Sequence, residues 1–169
     1  MSIFIKFLTI GGTIDKIYFD DASRFEIGDS PLKEILSEGL VAFDYEIVPL
    51  FRKDSLDMSD DDRRKIREYV QDDGGEFYVI THGTDTLTQT AEALVGVEGK
   101  TIVMTGALSP ARFRATDATL NVGLAIGAVQ SLPPGVYIAM NGQIFPAGSV
   151  RKNRQANRFE RLPAEGDTE

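Results

Sequence analysis

The sequence predicts a single α/β domain built on a doubly wound, mostly parallel sheet with helices on both faces. Three observations lead there. Short β-branched and aromatic runs alternate along the chain with segments whose apolar residues recur at helical spacing. Glycine, proline and polar clusters punctuate the junctions between them. The 169 residues suffice for one sizeable core and not for two ordinary domains.

The elements follow in order. Residues 3–10 read as a buried strand running into Gly11-Gly12-Thr13-Ile14-Asp15. The glycine pair exposes backbone N–H groups, as phosphate loops do, and presents Thr13 at a strand end. It lacks the G-x-G-x-x-G spacing of dinucleotide sites and the Gly-Lys-Ser/Thr of a P-loop, and a tight turn is the simplest account of it. Residues 16–28 hold Tyr18, Phe19 and Phe25 among charges with no helical period, so they form either a short hairpin or a mobile loop over that turn. Asp29-Ser30-Pro31 opens a short helix, with Ser30 as cap and Pro31 in the first helical position. Leu32, Ile35 and Leu36 form its inner face, and Gly39 ends it.

Residues 45–51 read as a second buried strand, followed by Arg52-Lys53-Asp54-Ser55-Leu56-Asp57-Met58. Ser59 to Asp62 then supply a cap and an acidic first turn ahead of Arg63, Arg64 and Lys65, an order that suits the helix dipole. These aspartates lack the spacing, glycine and terminal Glu of a calcium loop. Ile66, Tyr69 and Val70 bury this helix. Residues 77–81 are the next buried strand, and His82-Gly83-Thr84-Asp85-Thr86 follows it before Leu87, Ala91, Leu94 and Val95 recur at helical spacing. Thr84 or Asp85 alone would serve as a helix cap, but this corner carries four polar groups in five positions. Such corners at the carboxyl ends of strands are where open α/β sheets bind ligands. Residues 96–100 are a loop, 101–105 a strand ending in Gly106-Ala107-Leu108-Ser109-Pro110, and Thr116-Asp117 can cap a helix. That helix, 118–129, is apolar or small almost all round, which predicts burial against more than one neighbour, with Gly123, Gly127 and Ala128 permitting close packing. Pro133-Pro134-Gly135 breaks it, 136–140 is a strand, 141–148 is turn-rich, and the basic run 150–154 reads as a solvated face. The chain after Arg161 is polar and expected to fray.

Composition narrows the chemistry. A net charge of −8 with no basic stripe argues against DNA or RNA as partner. The absence of cysteine and the single histidine exclude thiolate sites and multi-histidine metal sites, and weaken any Ser-His-Asp scheme. No apolar run approaches the length of a membrane span, and the opening residues are too short and too interrupted for a signal peptide, so the expected compartment is the cytoplasm.

In such a sheet the strand ends converge, which would bring Thr13, Ser55, Thr84, Asp85 and a lysine from the end of the chain together. A desolvated lysine with a lowered pKa can accept a threonine proton, and the carboxylate can hold that lysine or pair with a substrate ammonium. Backbone N–H groups of Gly12, Gly83 and Thr84 can stabilise an oxyanion. The expected chemistry is acyl transfer through a threonyl ester, with no metal and no organic cofactor.

Gly11-Gly12-Thr13-Ile14, Asp54-Ser55-Leu56-Asp57-Met58, Thr81-His82-Gly83-Thr84-Asp85-Thr86, Val103-Met104-Thr105-Gly106-Ala107-Leu108 and the segment 136–152 fall in one order. That order and those spacings resemble the amino-terminal domain of the bacterial-type L-asparaginase/glutaminase family, over nearly the entire chain. The glycine-threonine motif alone is weak; the Thr-His-Gly-Thr-Asp-Thr run is highly specific. The resemblance implies a Rossmann/flavodoxin-like three-layer domain over residues 1–169 that hydrolyses the side-chain amide of asparagine or glutamine. It implies Thr13 as nucleophile, Thr84, Asp85 and Lys152 as a triad, and Ser55 holding the substrate's α-carboxylate. Asp85 also meets the α-amino group, and His82 stands behind the site. A homo-oligomer, most simply a dimer, is expected by the same analogy.

The chain departs from the family pattern in four places. Ile10 replaces a usual threonine. Phe25 aligns with a loop tyrosine that pairs with the nucleophile, leaving Tyr18 as a candidate substitute. Leu56 replaces a frequent glutamine. Family members are about twice this length, and a carboxyl-terminal domain from a neighbouring subunit completes each site with an acidic residue. The sequence ends where the linker to that domain is expected, so part of the α-amino pocket is missing from it. Two alternatives follow: a module that senses aspartate or asparagine without turnover, and a relative of the asparaginase-like part of a tRNA-dependent amidotransferase, which the acidic charge disfavours.

Overall fold

The computed structural model describes residues 2–19 and 24–163. Six strands form one sheet: β1 (Phe4–Gly11), β4 (Asp44–Lys53), β5 (Phe77–Thr81), β6 (Thr101–Thr105), β7 (Gly135–Met140) and β8 (Gln143–Pro146). Their order is β4-β1-β5-β6-β7-β8, parallel throughout except for the antiparallel β7–β8 pair. Two small antiparallel ribbons lie outside it, β2 (Lys16–Phe19) with β3 (Arg24–Ile27), and β9 (Val150–Asn153) with β10 (Arg158–Arg161). The doubly wound expectation holds.

Alternation along the strands builds two cores, because successive side chains point to opposite faces. Leu8 and Ile10, Tyr78 and Ile80, Ile102 and Met104 face α2 (Asp60–Asp72) and α3 (Leu87–Leu94), which contribute Ile66, Val70, Leu87, Ala91 and Leu94. Ile5 and Phe7, Val79, Val103 and Ala139 face α1 (Leu32–Glu38) and α4 (Ala118–Ser131), which contribute Leu32, Leu36, Val122, Ala125 and Val129. Ser59 and Asp62 form a reciprocal capping box at the start of α2, as its acidic first turn suggests.

Several expectations require correction. β4 is an edge strand and not a buried one: it pairs only with β1, and residues 44–46, Pro49 and Arg52 are exposed. Pro49 is the signal that marks it, since proline within a strand is confined to edges. Pro31, not Ser30, is the N-cap residue of α1, and no side chain caps that helix. Asp117 is the N-cap residue of α4 as expected, and Thr116 Oγ1 accepts from the Ala118 N–H at 3.1 Å, but the Asp117 carboxylate accepts instead from the backbone N–H groups of Leu108 and Ser109. α4 buries one face only: nothing lies within 4 Å of a Cβ placed on Gly123 or Gly127, and Leu120 is exposed. The turn-rich stretch after β7 contains a strand, because Asn141 and Gly142 both take positive φ and close a two-residue hairpin pairing Met140 with Gln143. The basic run is β9 and not simply a solvated face. Of the two alternatives for residues 16–28 the hairpin is the one observed, β2 pairing with β3, while residues 20–23 lie outside the described residues.

β1 lies between β4 and β5, and the chain leaves β1 towards the α1 face but leaves β5 towards the α3 face. The crevice between the carboxyl ends of β1 and β5 is therefore the topological switch point of the sheet.

Candidate active site

Thr13 opens a 3₁₀ turn (Thr13–Asp15) at the end of β1, and Ser55 opens another (Ser55–Asp57) at the end of β4. Glycines let these turns meet the corner after β5. A Cβ on Gly12 would fall 2.3 Å from Gly83 Cα, and one on Gly83 would fall 2.6 Å from both Ser55 Cβ and Oγ. The backbone before Thr13, the Ser55 side chain and the backbone before Thr84 are thus in van der Waals contact, at distances only glycine permits. Gly12 also requires glycine for its φ of 86°. Thr86 Oγ1 donates to the Ser55 carbonyl at 2.7 Å, fastening the same two loops a second time.

Lys152 enters from β9. Its Nζ donates to Thr84 Oγ1 at 2.8 Å and to Asp85 Oδ1 at 2.9 Å, and its side chain is 15% exposed. Neither Thr84 nor Asp85 caps α3: the N-cap residue is Thr86, without a side-chain cap bond, and Asp85 is turned to the lysine. Thr84 is buried, and Asp85 is partly open. A hydroxyl and a carboxylate on one ammonium form a unit able to move a proton.

Behind this corner a directional chain fixes the peptide that the site uses. Arg63 Nε donates to Thr90 Oγ1 at 3.1 Å, leaving the Thr90 hydroxyl to donate to His82 Nε2 at 2.9 Å. His82 Nδ1 then carries the proton and donates to the Gly83 carbonyl at 2.7 Å. Burial pulls the imidazole down to about 4, with the Gly83 carbonyl opposing that fall and the Arg63 charge adding to it. His82 is therefore a neutral strut. Its hydrogen bond holds the Gly83 carbonyl against the ring.

Residues 4–163 match the family model described as "Asparaginase, N-terminal". The chain belongs to the asparaginase family. It is 36% identical over 106 residues to the probable periplasmic L-asparaginase of Haemophilus influenzae, which covers 58% of this chain and 30% of that protein. It is 41% identical over 81 residues to a glutamyl-tRNA(Gln) amidotransferase subunit of Methanococcus vannielii, covering 47% of this chain and 19% of that protein. The thermostable L-asparaginase of Thermococcus kodakarensis has the same fold at a TM-score of 0.80 and 26% identity, over 95% of this chain and 51% of that one. The chain spans about half the length of that solved structure and less of the two relatives.

Two further groups shape the site of this asparaginase-family domain. Tyr18 and Phe25 face each other across the β2–β3 hairpin with ring centroids 5.3 Å apart, and Phe25 packs on Phe113 at 5.8 Å. Both rings of the pair are about half exposed, and no hydrogen bond joins the Tyr18 hydroxyl to Thr13 among the described residues. Leu56 is exposed beside Ser55. Arg154 Nη2 lies 3.4 Å from Asp85 Oδ1, the same oxygen that Lys152 holds. Sequence reasoning missed Arg63, Thr90 and Arg154, and placed Thr86 in the corner without its tie to Ser55. Of the missed three only Arg154 had a visible signal, its position two residues from Lys152.

No helix among the described residues is long and apolar enough to cross a membrane. Nor is any group of three or more His, Asp or Glu side chains among them arranged to hold a metal ion.

Proposed function

We propose that this domain is an asparaginase-like amidohydrolase, acting on the side-chain amide of asparagine or a related small amide and releasing ammonia. The observation that carries this reading is Lys152 Nζ, held at 2.8 Å from Thr84 Oγ1 and 2.9 Å from Asp85 Oδ1 at the switch point of the sheet. In this reading Thr13 Oγ1 attacks the amide carbon while its proton passes towards Thr84 and the Lys152 amine. N–H groups along Gly12, Gly83 and Thr84 stabilise the oxyanion, ammonia leaves with that proton, and water cleaves the threonyl ester to restore Thr13. Ser55 binds the substrate's α-carboxylate and Asp85 its α-amino group. No step needs a metal or an organic cofactor. The working form in this reading is a homo-oligomer, most simply a dimer.

One observation favours a second reading, an amino-acid-binding module without turnover. At the position of the family's loop tyrosine the hairpin carries Phe25, which has no hydroxyl to pair with the nucleophile. Ammonia release from asparagine, glutamine and simple amides, compared between wild type and Thr13→Ala, tests the first reading. Equal rates on every amide overturn it. Calorimetric binding of aspartate or asparagine without ammonia release supports the second.

A further inference from the structure

A second cavity lies on the α1 face of the sheet, where the carboxyl ends of β1 and β4 meet the start of α1. It encloses about 270 Å³, and Thr9, Asp15, Ser30, Lys33, Phe51 and Arg52 are among its lining residues. None of Thr13, Ser55, Thr84, Asp85 or Lys152 reaches it.

Its floor holds the Asp15 carboxylate and the Ser30 hydroxyl, which face each other without a well-formed hydrogen bond. Asp15 is 2% exposed, yet its Oδ1 has no hydrogen-bond partner, and neither has Ser30 Oγ. Folded proteins leave few such groups, because each loses its hydration with nothing in return. Burial pushes the Asp15 carboxyl up to about 6. The nearby Ser30 hydroxyl opposes this most, and the Arg112 and Arg52 charges oppose it less. The rim has the opposite character. Arg52 stands there in an ion pair with Asp29, whose carbonyl also accepts from Arg112 at 3.0 Å. Lys33 lies on the first turn of α1, where the helix dipole disfavours a cation. Ile47 and Phe51 supply an apolar wall between floor and rim.

We propose that this cavity binds a small zwitterion whose primary ammonium donates to Asp15 Oδ1 and Ser30 Oγ and whose carboxylate lies at Lys33 and Arg52. A buried carboxylate whose only side-chain donor neighbour among the described residues is the Ser30 hydroxyl still has room for an N–H-rich head group. Lys33 and Arg52 at the rim outnumber the Asp29 carboxylate there, so the rim repels a diamine and attracts an anionic tail, and the apolar wall suits a short methylene chain. The inference does not rest on the amidohydrolase reading, and its test needs no turnover.

The test is a titration of the ¹⁵N-labelled chain with γ-aminobutyrate, n-butylammonium and butyrate at mildly alkaline pH, following the amide signals of Asp15, Ser30 and Lys33. Saturable shifts are expected with γ-aminobutyrate, at an affinity at least about tenfold above that of either half-molecule. Asp15→Asn, which keeps the shape and removes the charge, abolishes them. Lys33→Met, an exposed position whose replacement leaves the fold intact, lowers γ-aminobutyrate to the level of n-butylammonium without weakening the latter. The proposal is overturned if none of the three compounds gives saturable shifts. Butyrate binding as tightly as γ-aminobutyrate, or undiminished binding by either variant, overturns it equally.

Discussion

Lys152 Nζ sits 2.8 Å from Thr84 Oγ1 across 68 residues of sequence, and 2.9 Å from Asp85 Oδ1 beside it. The contact joins a ribbon outside the main sheet to the corner after β5, so the ribbon's position decides whether the threonine has a base at all. Lys152→Met keeps the aliphatic stem and removes the amine. Ammonia release from the best amide should fall at least about a hundredfold, the scale of a lost proton-transfer group. The double variant Thr84→Ala/Lys152→Met should lose little more than either single one, because the two act as a unit. Additive losses in steady-state assays would show that they work independently.

Arg154 competes for the carboxylate that the proposed reaction reserves for the substrate's ammonium. Its side chain is 69% exposed, so its removal should cost little stability. Arg154→Ala is expected to lower KM for asparagine several-fold with a smaller change in kcat. An unchanged or raised KM would mean that Arg154 does not block the amino-group position.

The glycine contacts make a prediction about folding. Gly83→Ala forces a Cβ to within 2.6 Å of Ser55, and Gly12→Ala adds a φ of 86° to a 2.3 Å clash. Each should destabilise the domain by about 2 kcal/mol or more. Gly123→Ala, in the interior of α4 with open space around it, should instead stabilise by about 0.5–1 kcal/mol. Urea denaturation of the three variants checks the contrast, and a similar midpoint for all of them would contradict it.

Thr90→Val removes the hydroxyl between Arg63 and His82 and leaves two buried ring or guanidinium groups without partners. A loss of about 1–3 kcal/mol is expected, with Thr90→Ser recovering most of it. Equal stability of the Val and Ser variants would show that the chain is not needed.

The pH dependence of stability separates two buried groups. The folded value of His82, about 4, lies below its unfolded value of about 6.5. Its contribution is therefore present above about pH 6.5 and lost as pH falls towards 4. For Asp15 the folded value, about 6, lies above the unfolded value of about 3.9, so its contribution is present below about pH 4 and lost as pH rises through 6. The two oppose each other over one window, and wild-type stability should be nearly flat there. Asp15→Asn removes only the second, so its stability should climb with pH and exceed wild type by up to about 3 kcal/mol near neutrality. Denaturation midpoints from pH about 4 to 7 measure this, and parallel curves for the two proteins would refute it.

The sequence by itself determined the layers. Period-two and helical patterns set which segments become strands and helices, and Thr13, Ser55, His82, Thr84 and Asp85 follow strands, where an open sheet puts its sites. Pro49 and Asn141-Gly142 also signal the edge strand and the last hairpin, though neither was expected from them: proline lacks the ladder N–H, and Asn-Gly accepts positive φ. What only the tertiary structure decided is how side chains distant in sequence share atoms. Lys152 was named through a family resemblance, because nothing local in Val150–Asn153 says that one of its charges turns inward. The Arg63–Thr90–His82 chain and the burial of the Asp15 carboxylate left no pattern at all, and Arg154 left only its spacing from Lys152. Periodicity records which way a side chain points relative to its own backbone, whereas hydrogen bonding and burial depend on what another element places opposite it.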